Sequence, residues 1–445
     1  MTNLKDVKRE IVNWYKTTYL NNKGIPYFEI DGVTGKPLSN RDLIPELGDY
    51  LPFLYYIGEK DYVNRQIKIA KSYLTKGIIT KKISIPRGIP LHEKILYKLV
   101  PKHSESFEYT DLILGLLEVY EQSKDKEVLN FADYMLNKAF SVFNKDNVIH
   151  DMYFPSLKLK LPASSSLSGM YIELLADFYR LTKNKDYLTR AYALVEKWAS
   201  VDFFNKYGVF PVYYTPNKKI RKLPIFSKYS KIAKLNKHNT TVIAAILALY
   251  QQTKDPKLLS IIEKWVYGLK KYFLNKDYIA DEVIEINEGK KRILLKPEIR
   301  NFALIDFLAD LYYTTKNKEY LNLAEKNAQF WINQQSDLGL IPFTPNGNYS
   351  RFDSQTDMGV AFMKLYELTN KKIYKNSAYN LLKAQLKYHH TKHGYVERVN
   401  PKTGWIMDYS IETRFTALFL KLLLTIEKNK KIYKDKKFYY LLRDR

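Results

Sequence analysis

The sequence predicts an all-α chain: an (α/α) toroid, or barrel, of six or seven helical hairpins whose long loops share one face. Three observations carry this expectation: a turn motif that recurs along the chain, an alternation of very apolar with amphipathic helices, and a strong inequality between the connections at the two ends of those helices.

FYRLTKNKDYL (178–188) and YYTTKNKEYL (312–321) nearly repeat each other. Looser copies stand at YYIGEKDYV (55–63), YEQSKDKEVL (120–129), YQQTKDPKLL (250–259), YELTNKKIY (366–374) and TIEKNKKIY (425–433). The copies lie roughly 53 to 71 residues apart, the length of a helical hairpin plus one long loop.

Each copy joins an apolar helix, such as TTVIAAILALY or MGVAFMKLY, to a more amphipathic one, such as KDYLTRAYALVEKWASVDFF. A helix that is apolar nearly all round has to be buried, whereas one with a charged face lies outside. In chain order this gives an outer helix at about 3–22, then inner helices at about 42–57, 109–123, 165–182, 239–253, 299–315, 354–369 and 409–428, with outer helices between them. A short extra helix is expected near 430–442. No composition shift or flexible linker divides the chain, so residues 1–445 are read as one domain.

The alternative architecture is an open α-solenoid, whose units run about 34 to 47 residues with short loops on both sides. Here the inner-to-outer turns take only a few residues, while the outer-to-inner connections run through 23–40, 75–108, 144–164, 204–238, 276–298, 336–353 and 389–408. Long connections in a compact protein are usually functional. They gather on the face that carries the N-termini of the inner helices, where unpaired N–H donors favour anionic groups.

Composition sets outer limits. The chain is 46% hydrophobic, yet no window approaches eighteen uninterrupted apolar residues. MTNLKDVKREIVNWYKTTYL reads as a charged amphipathic helix and not as a signal peptide, so the expectation is a cytoplasmic protein without a membrane span. Zero cysteine excludes disulfides, thiolate metal sites and a Cys nucleophile. The net charge of +25 draws polyanions. Lys, Ile, Asn, Tyr and Phe all have AT-rich codons, however, so the excess can reflect genome composition as well as selection.

On hairpin period, loop asymmetry and aromatic content, over most of its length, the chain resembles the six-hairpin glycosidase-like proteins. That broad (α/α)-toroid group includes glycoside hydrolases, sugar epimerases and, more distantly, polysaccharide lyases. The resemblance implies a carbohydrate site in the loop-bearing mouth. It matches no subfamily signature position by position and so assigns no catalytic residue.

Candidates come from the loop-bearing ends. In RFDSQTDMGVAFMKLY, Asp353 and Asp357 stand four apart at the start of an inner helix, on one side of its first turn. One reading makes Asp353 or Ser354 the N-cap and Asp357 a first-turn acid favoured by the helix dipole. The other gives them chemistry, with Asp357 the first choice for a catalytic role. Asp111 occupies the equivalent place in its own repeat. DYSIETRFTALF adds Asp408 and Glu412 as candidate partners, with Arg414 beside them. Arg351, Arg300, Glu105 and Glu298 fall at comparable helix entrances, His238 and Asn239 open another inner helix, and NRDLIPELGDY supplies Asp42, Glu46 and Asp49. Trp405 is the one tryptophan outside the expected helices, placed to stack on a sugar ring or to anchor its loop. The substrate-binding set is therefore Asp353, Arg351, His238, Asn239, Arg300, Arg414, Glu105 and Trp405. Glu118, Asp177 and Asp310, each two residues before a closing tyrosine, are read as structural. HHTKH (389–393) lacks a neighbouring carboxylate pattern and is not read as a metal site.

A glycoside hydrolase needs one protonated acid and a second carboxylate as base or nucleophile, and acids from different inner helices can meet around one funnel. The connection from Lys206 to His238 holds eight Lys and one Arg with no acid, and KGIITKKISIPRG and GKKR are also basic. These runs favour an acidic oligosaccharide bearing uronate, sulfate or phosphate. A uronate lyase or sugar epimerase is the first alternative, with His238, Asn239 and Arg300 or Arg414 as its groups. A non-catalytic basic scaffold for an anionic polymer is the second. There is no P-loop, GxGxxG, HExxH or GxSxG, so no cofactor is expected. Acids sharing the same mouth argue against nucleic acid.

Overall fold

The computed structural model describes residues 3–39, 46–74, 81–82, 102–214, 232–276, 278–280, 284–285 and 297–442. Its helices alternate between outside and inside as the sequence predicts. α1 (Leu4–Lys16) is outer. Then α2 (Leu51–Tyr56) is inner and α3 (Lys60–Leu74) outer, and likewise α4 (Phe107–Ser123) with α5 (Lys126–Phe143) and α6 (Ser165–Thr182) with α7 (Lys185–Ala199), a short α8 (Asp202–Tyr207) following. The series continues with α9 (Thr240–Thr253) and α10 (Pro256–Tyr272), α11 (Phe302–Thr315) and α12 (Lys318–Ile332), and α13 (Phe352–Thr369) and α14 (Lys372–Ala384). It ends with the inner α15 (Thr413–Lys428) and a terminal α16 (Lys436–Leu442).

The repeated motif has a local cause. In four copies the helix closes on a lysine in the left-handed conformation, Lys124, Lys183, Lys254 or Lys316, whose N–H donates to the carbonyl of the tyrosine four residues earlier. The next residue, Asp125, Asn184, Asp255 or Asn317, accepts the N–H two residues on and caps the outer helix. The Lys124, Lys183 and Lys254 ammonium groups lie 5.5, 5.6 and 5.3 Å from the ring centre of that same tyrosine. This cation–π contact favours a residue type otherwise uncommon at positive φ.

Among the described residues seven inner helices run in sequence round a ring, each packing on the next, and α15 returns to pack on α2. The N-terminal α1 backs α15, so the last hairpin is completed by the first helix of the chain. Trp198, Trp265 and Trp331 on the outer helices are fully buried between the two layers.

Three expectations need correction. The first inner helix is six residues long, preceded by a turn of 3₁₀ helix at Leu47–Asp49, because this segment passes backbone against backbone. A Cβ on Gly48 would collide with the Asp111 carbonyl, and one on Gly115 with the Gly48 Cα. The helix expected from 409 begins at 413, since Ser410–Glu412 pairs as a strand with Glu29–Asp31. Finally, the long connections, in which no strand was expected, carry strands. Val148–Phe154 and Leu159–Ser164 form an antiparallel hairpin that pairs with Lys102–Glu105 on one side and Tyr213–Tyr214 on the other. Among the described residues no helix is long and apolar enough to cross a membrane.

Opposite the mouth, the segment after α15 crosses the C-terminal ends of the inner helices. Glu367 of α13 accepts the Ile432 N–H at 2.7 Å, Tyr433 stacks on Tyr313 of α11, and the Arg180 guanidinium of α6 lies 3.7 Å from the Tyr440 ring centre. Gln251 of α9 donates to the Tyr439 hydroxyl at 3.0 Å, Phe438 meets Tyr56 of α2, and α16 packs on α4.

Candidate active site

The ring encloses a cavity of about 490 Å³ along its axis. Eight of the candidates singled out in the sequence line it: Asp49, Asp111, Asp353, Asp357, Arg351, His238, Arg300 and Arg414. Helix starts place them. Asp111, Asp306 and Asp357 all stand in the first two turns of α4, α11 and α13, on the faces turned to the axis. The close approach of Gly48 to α4 fixes the level of Asp111.

Most of the charges are already engaged. The Lys421 ammonium of α15 donates to Asp357 at 3.0 Å. Burial pushes the Asp357 carboxyl above the usual range, with Lys421 opposing and Asp353 and Asp306 adding to the rise. Asp353 is not the N-cap; that position is Arg351. Asp353 instead accepts the Ser354 N–H at 2.7 Å and lies 3.2 Å from the Arg351 guanidinium. Arg351 also holds Glu397 at 2.8 Å. Arg414 bridges Asp49 at 3.1 Å and Glu412 at 3.0 Å while stacking on Phe415. Arg300 lies 3.7 Å from Glu298. Lower down, buried Lys364 sits 2.7 Å from Asp306 and 3.2 Å from Asp310. Burial pushes that ammonium down, but the two aspartates more than offset it and its pKa ends above the ordinary lysine value.

The group that sequence reading missed is Asp151. It lines the cavity from the strand Val148–Phe154, hydrogen-bonded to Ser164 and Tyr213, while its Oδ1 is buried with no hydrogen-bond partner. Burial raises its carboxyl to about 8. The Ser164 and Tyr213 bonds lower it only in part, and Glu105 nearby adds to the rise. The balance favours the protonated form of Asp151. Beside it, the Tyr213 ring meets His238 edge-on at 6.2 Å, and His238 Nδ1 is 3.3 Å from the Ser165 hydroxyl. The available signal was an acid inside an apolar run, VIHDMYF, within one of the long connections.

Five expected site residues stand elsewhere. Asn239 is fully buried outside the lining: its carboxamide brackets the Phe210 backbone at 2.7 and 2.9 Å and accepts from Trp265. Trp405 is 76% exposed on a turn away from the cavity. Asp408 accepts the Ser410 N–H on an outlying strand, and Glu105, near Asp151, is not itself part of the lining. Glu412 reaches the cavity only through Arg414. Conversely Glu118 and Asp310, read as structural, line the floor, because the hollow runs the length of the inner helices. Asp177 pairs with Arg180 as a structural residue would. In HHTKH the imidazoles diverge: His389 is buried with Nδ1 on the Val396 carbonyl at 2.7 Å, and His390 faces Glu10. Asp42, most of the basic run 206–238, most of KGIITKKISIPRG and all of GKKR lie outside the described residues.

No family model matches the chain, and no curated protein matches it in sequence. Solved structures do match in shape. An α-1,2-mannosidase from Trichoderma reesei is 13% identical, with 95% of this chain and 92% of that one covered and a TM-score of 0.65. A D-mannose isomerase is 11% identical, with 95% and 97% covered and a TM-score of 0.60. The unsaturated glucuronyl hydrolase of Bacillus sp. GL1 is 10% identical, with 90% and 98% covered and a TM-score of 0.54. At such identities the likeness is one of fold: this is an (α/α) toroid.

Proposed function

We propose that the protein is a carbohydrate-active enzyme, a glycoside hydrolase that takes an oligosaccharide into the toroid mouth. The observation that carries this reading is a hydroxyl-bonded carboxyl, Asp151, whose Oδ1 is buried, facing the same cavity as carboxyl groups set beside arginine and lysine. Two carboxyl groups with opposed environments are what acid and base roles require. Asp151 gives its proton to the glycosidic oxygen as the bond from that oxygen to the anomeric carbon breaks. Asp111, in the field of Arg414, takes a proton from water while the hydroxyl adds to that carbon. Asp111 then gives up its proton to solvent and Asp151 takes one back from solvent, which restores both groups. Asp357 and Asp353, with their lysine and arginine partners, hydrogen-bond sugar hydroxyls, and Phe107, 38% exposed and in the lining, offers a ring to stack on.

On substrate charge, among the described residues the lining holds nine carboxyl residues against three arginines and one lysine. An incoming uronate would have to compete with carboxylates already seated on each arginine, so a neutral sugar unit suits the described cavity better. The basic runs that favour an anionic glycan remain a reason to test one. The panel is neutral and uronate-containing oligosaccharides of both anomeric series, assayed with wild type and with Asp151→Asn and Asp111→Asn. Hydrolysis lost in both variants supports the reading, and hydrolysis untouched by Asp151→Asn refutes it.

A second reading rests on His238 and Tyr213, paired on the Asp151 side of the cavity: proton transfer at a sugar carbon, as in an epimerase or lyase. Incubating reducing sugars in D₂O separates it. Deuterium entering the sugar without cleavage favours this reading over hydrolysis.

A further inference from the structure

The cavity is closed below by the chain's own C-terminal segment. Tyr439 and Leu441 line its floor, and the segment touches the lower end of every inner helix described above. Its anchor is Asp310, whose two carboxylate oxygens accept the Tyr433 hydroxyl at 2.8 Å and the Tyr439 hydroxyl at 3.0 Å. The ring of helices therefore does not run through as a channel.

Depth follows from helix geometry. Asp111 and Glu118 both line the cavity and stand seven residues apart on α4, which at 1.5 Å per residue is about 10 Å. The carboxyl side chains above and the Tyr439 ring below take up part of that distance, so the space left between them has room for one sugar ring and not for a length of chain.

We propose that the site works on chain ends, seating a single terminal sugar unit in the blind lower half of the cavity, and that Tyr439 sets its depth as the specificity-determining residue. The proposal rests on the carbohydrate-hydrolase reading above. Both carboxylate roles and the fate of the proton are unchanged, since only the position of the bond along the chain is specified. A polysaccharide threaded through its middle would need an exit that the C-terminal segment occupies.

The test is a time course on an end-labelled oligosaccharide ladder that the wild type hydrolyses. The expected result is loss of one unit at a time, with monosaccharide the only early product. Tyr439→Phe keeps the ring and should keep the one-unit product. Tyr439→Ala removes the floor and should release two-unit products as well, with KM for the shortest substrate raised several-fold. Early mid-length fragments from the wild type would overturn the chain-end proposal while leaving the hydrolase intact. Folded Tyr439→Ala protein that still releases only single units would overturn the role of Tyr439. If Tyr439→Ala fails to fold, Leu441→Ala is measured for the same change in product size, and no change refutes a floor-set depth. No cleavage of any oligosaccharide would instead remove the hydrolase reading itself.

Discussion

Asp151 ties chemistry to stability through one proton. The folded chain keeps that proton up to about pH 8, whereas the ordinary value for the side chain is 3.8. The stability the proton contributes is therefore complete below about pH 4 and is lost as pH rises through about 8. Asparagine has nearly the same shape and cannot ionise. Thermal melts of Asp151→Asn and wild type should coincide near pH 4, and the variant should be the more stable near pH 9, while its turnover falls roughly 10²- to 10⁴-fold. A variant no more stable than wild type in alkali would contradict a buried neutral acid. Lys421 gives the complementary case. Replacing it with methionine strands the buried Asp357 carboxylate, a loss of about 3 to 5 kcal/mol for a broken buried pair. Urea titration at pH 7 measures it. Because the Asp357 pKa is raised by burial, the loss should shrink toward acid pH, where that carboxyl takes up a proton. Periodicity made Asp111 and Asp357 legible, because helical spacing turns sequence position into facing. Asp151 and Lys421 were not legible: one sits on a strand in what reads as a loop, the other mid-helix among apolar residues.

At the scale of elements, the hairpins were readable because their turn is chemically determined. A tyrosine carbonyl, a left-handed lysine and an Asx cap recur in that order, and each solves a hydrogen-bonding problem at a helix end. Asp255 caps α10 through the Lys257 N–H at 2.9 Å and also accepts the Tyr192 hydroxyl at 2.8 Å from the neighbouring hairpin. Asp255→Ala should cost about 1 to 2 kcal/mol, more than a cap alone near the lower figure, because it also strands that phenol. Denaturant midpoints of Asp255→Ala, Tyr192→Phe and the double variant would show the coupling, and strictly additive losses would deny it. The ends of α2 and α15 were misread for the opposite reason. There the decision belongs to distant partners, the α4 backbone against Gly48 and the strand Glu29–Asp31 against Ser410–Glu412, which no local window contains.

A ring and a solenoid respond differently to shortening, which makes the architecture testable without knowing the substrate. In an open array each unit leans only on its neighbours, and removing the first helix trims stability by one increment. Here α1 is the outer partner of the last inner helix. Lys8 pairs with Glu427 at 2.8 Å, the Tyr15 hydroxyl donates to the Thr413 carbonyl, Tyr19 bonds Thr416, and Trp14 reaches the Lys392 carbonyl. Tyr15 and Tyr19 are fully buried. Deleting residues 1–20 would uncover α15, and with it the closure between α15 and α2 that holds Arg414 against Asp49. The expected outcome is loss of the cooperative transition across the whole molecule, read by circular dichroism melts and size-exclusion chromatography, and not a modest fall in midpoint. Adding the 1–20 peptide in trans should restore part of the transition, since its groove on α15 is otherwise complete. A truncated protein that melts cooperatively within a few degrees of the full chain would mean that the hairpins stand as a row, and that the cavity wall carrying Arg414 does not depend on ring closure.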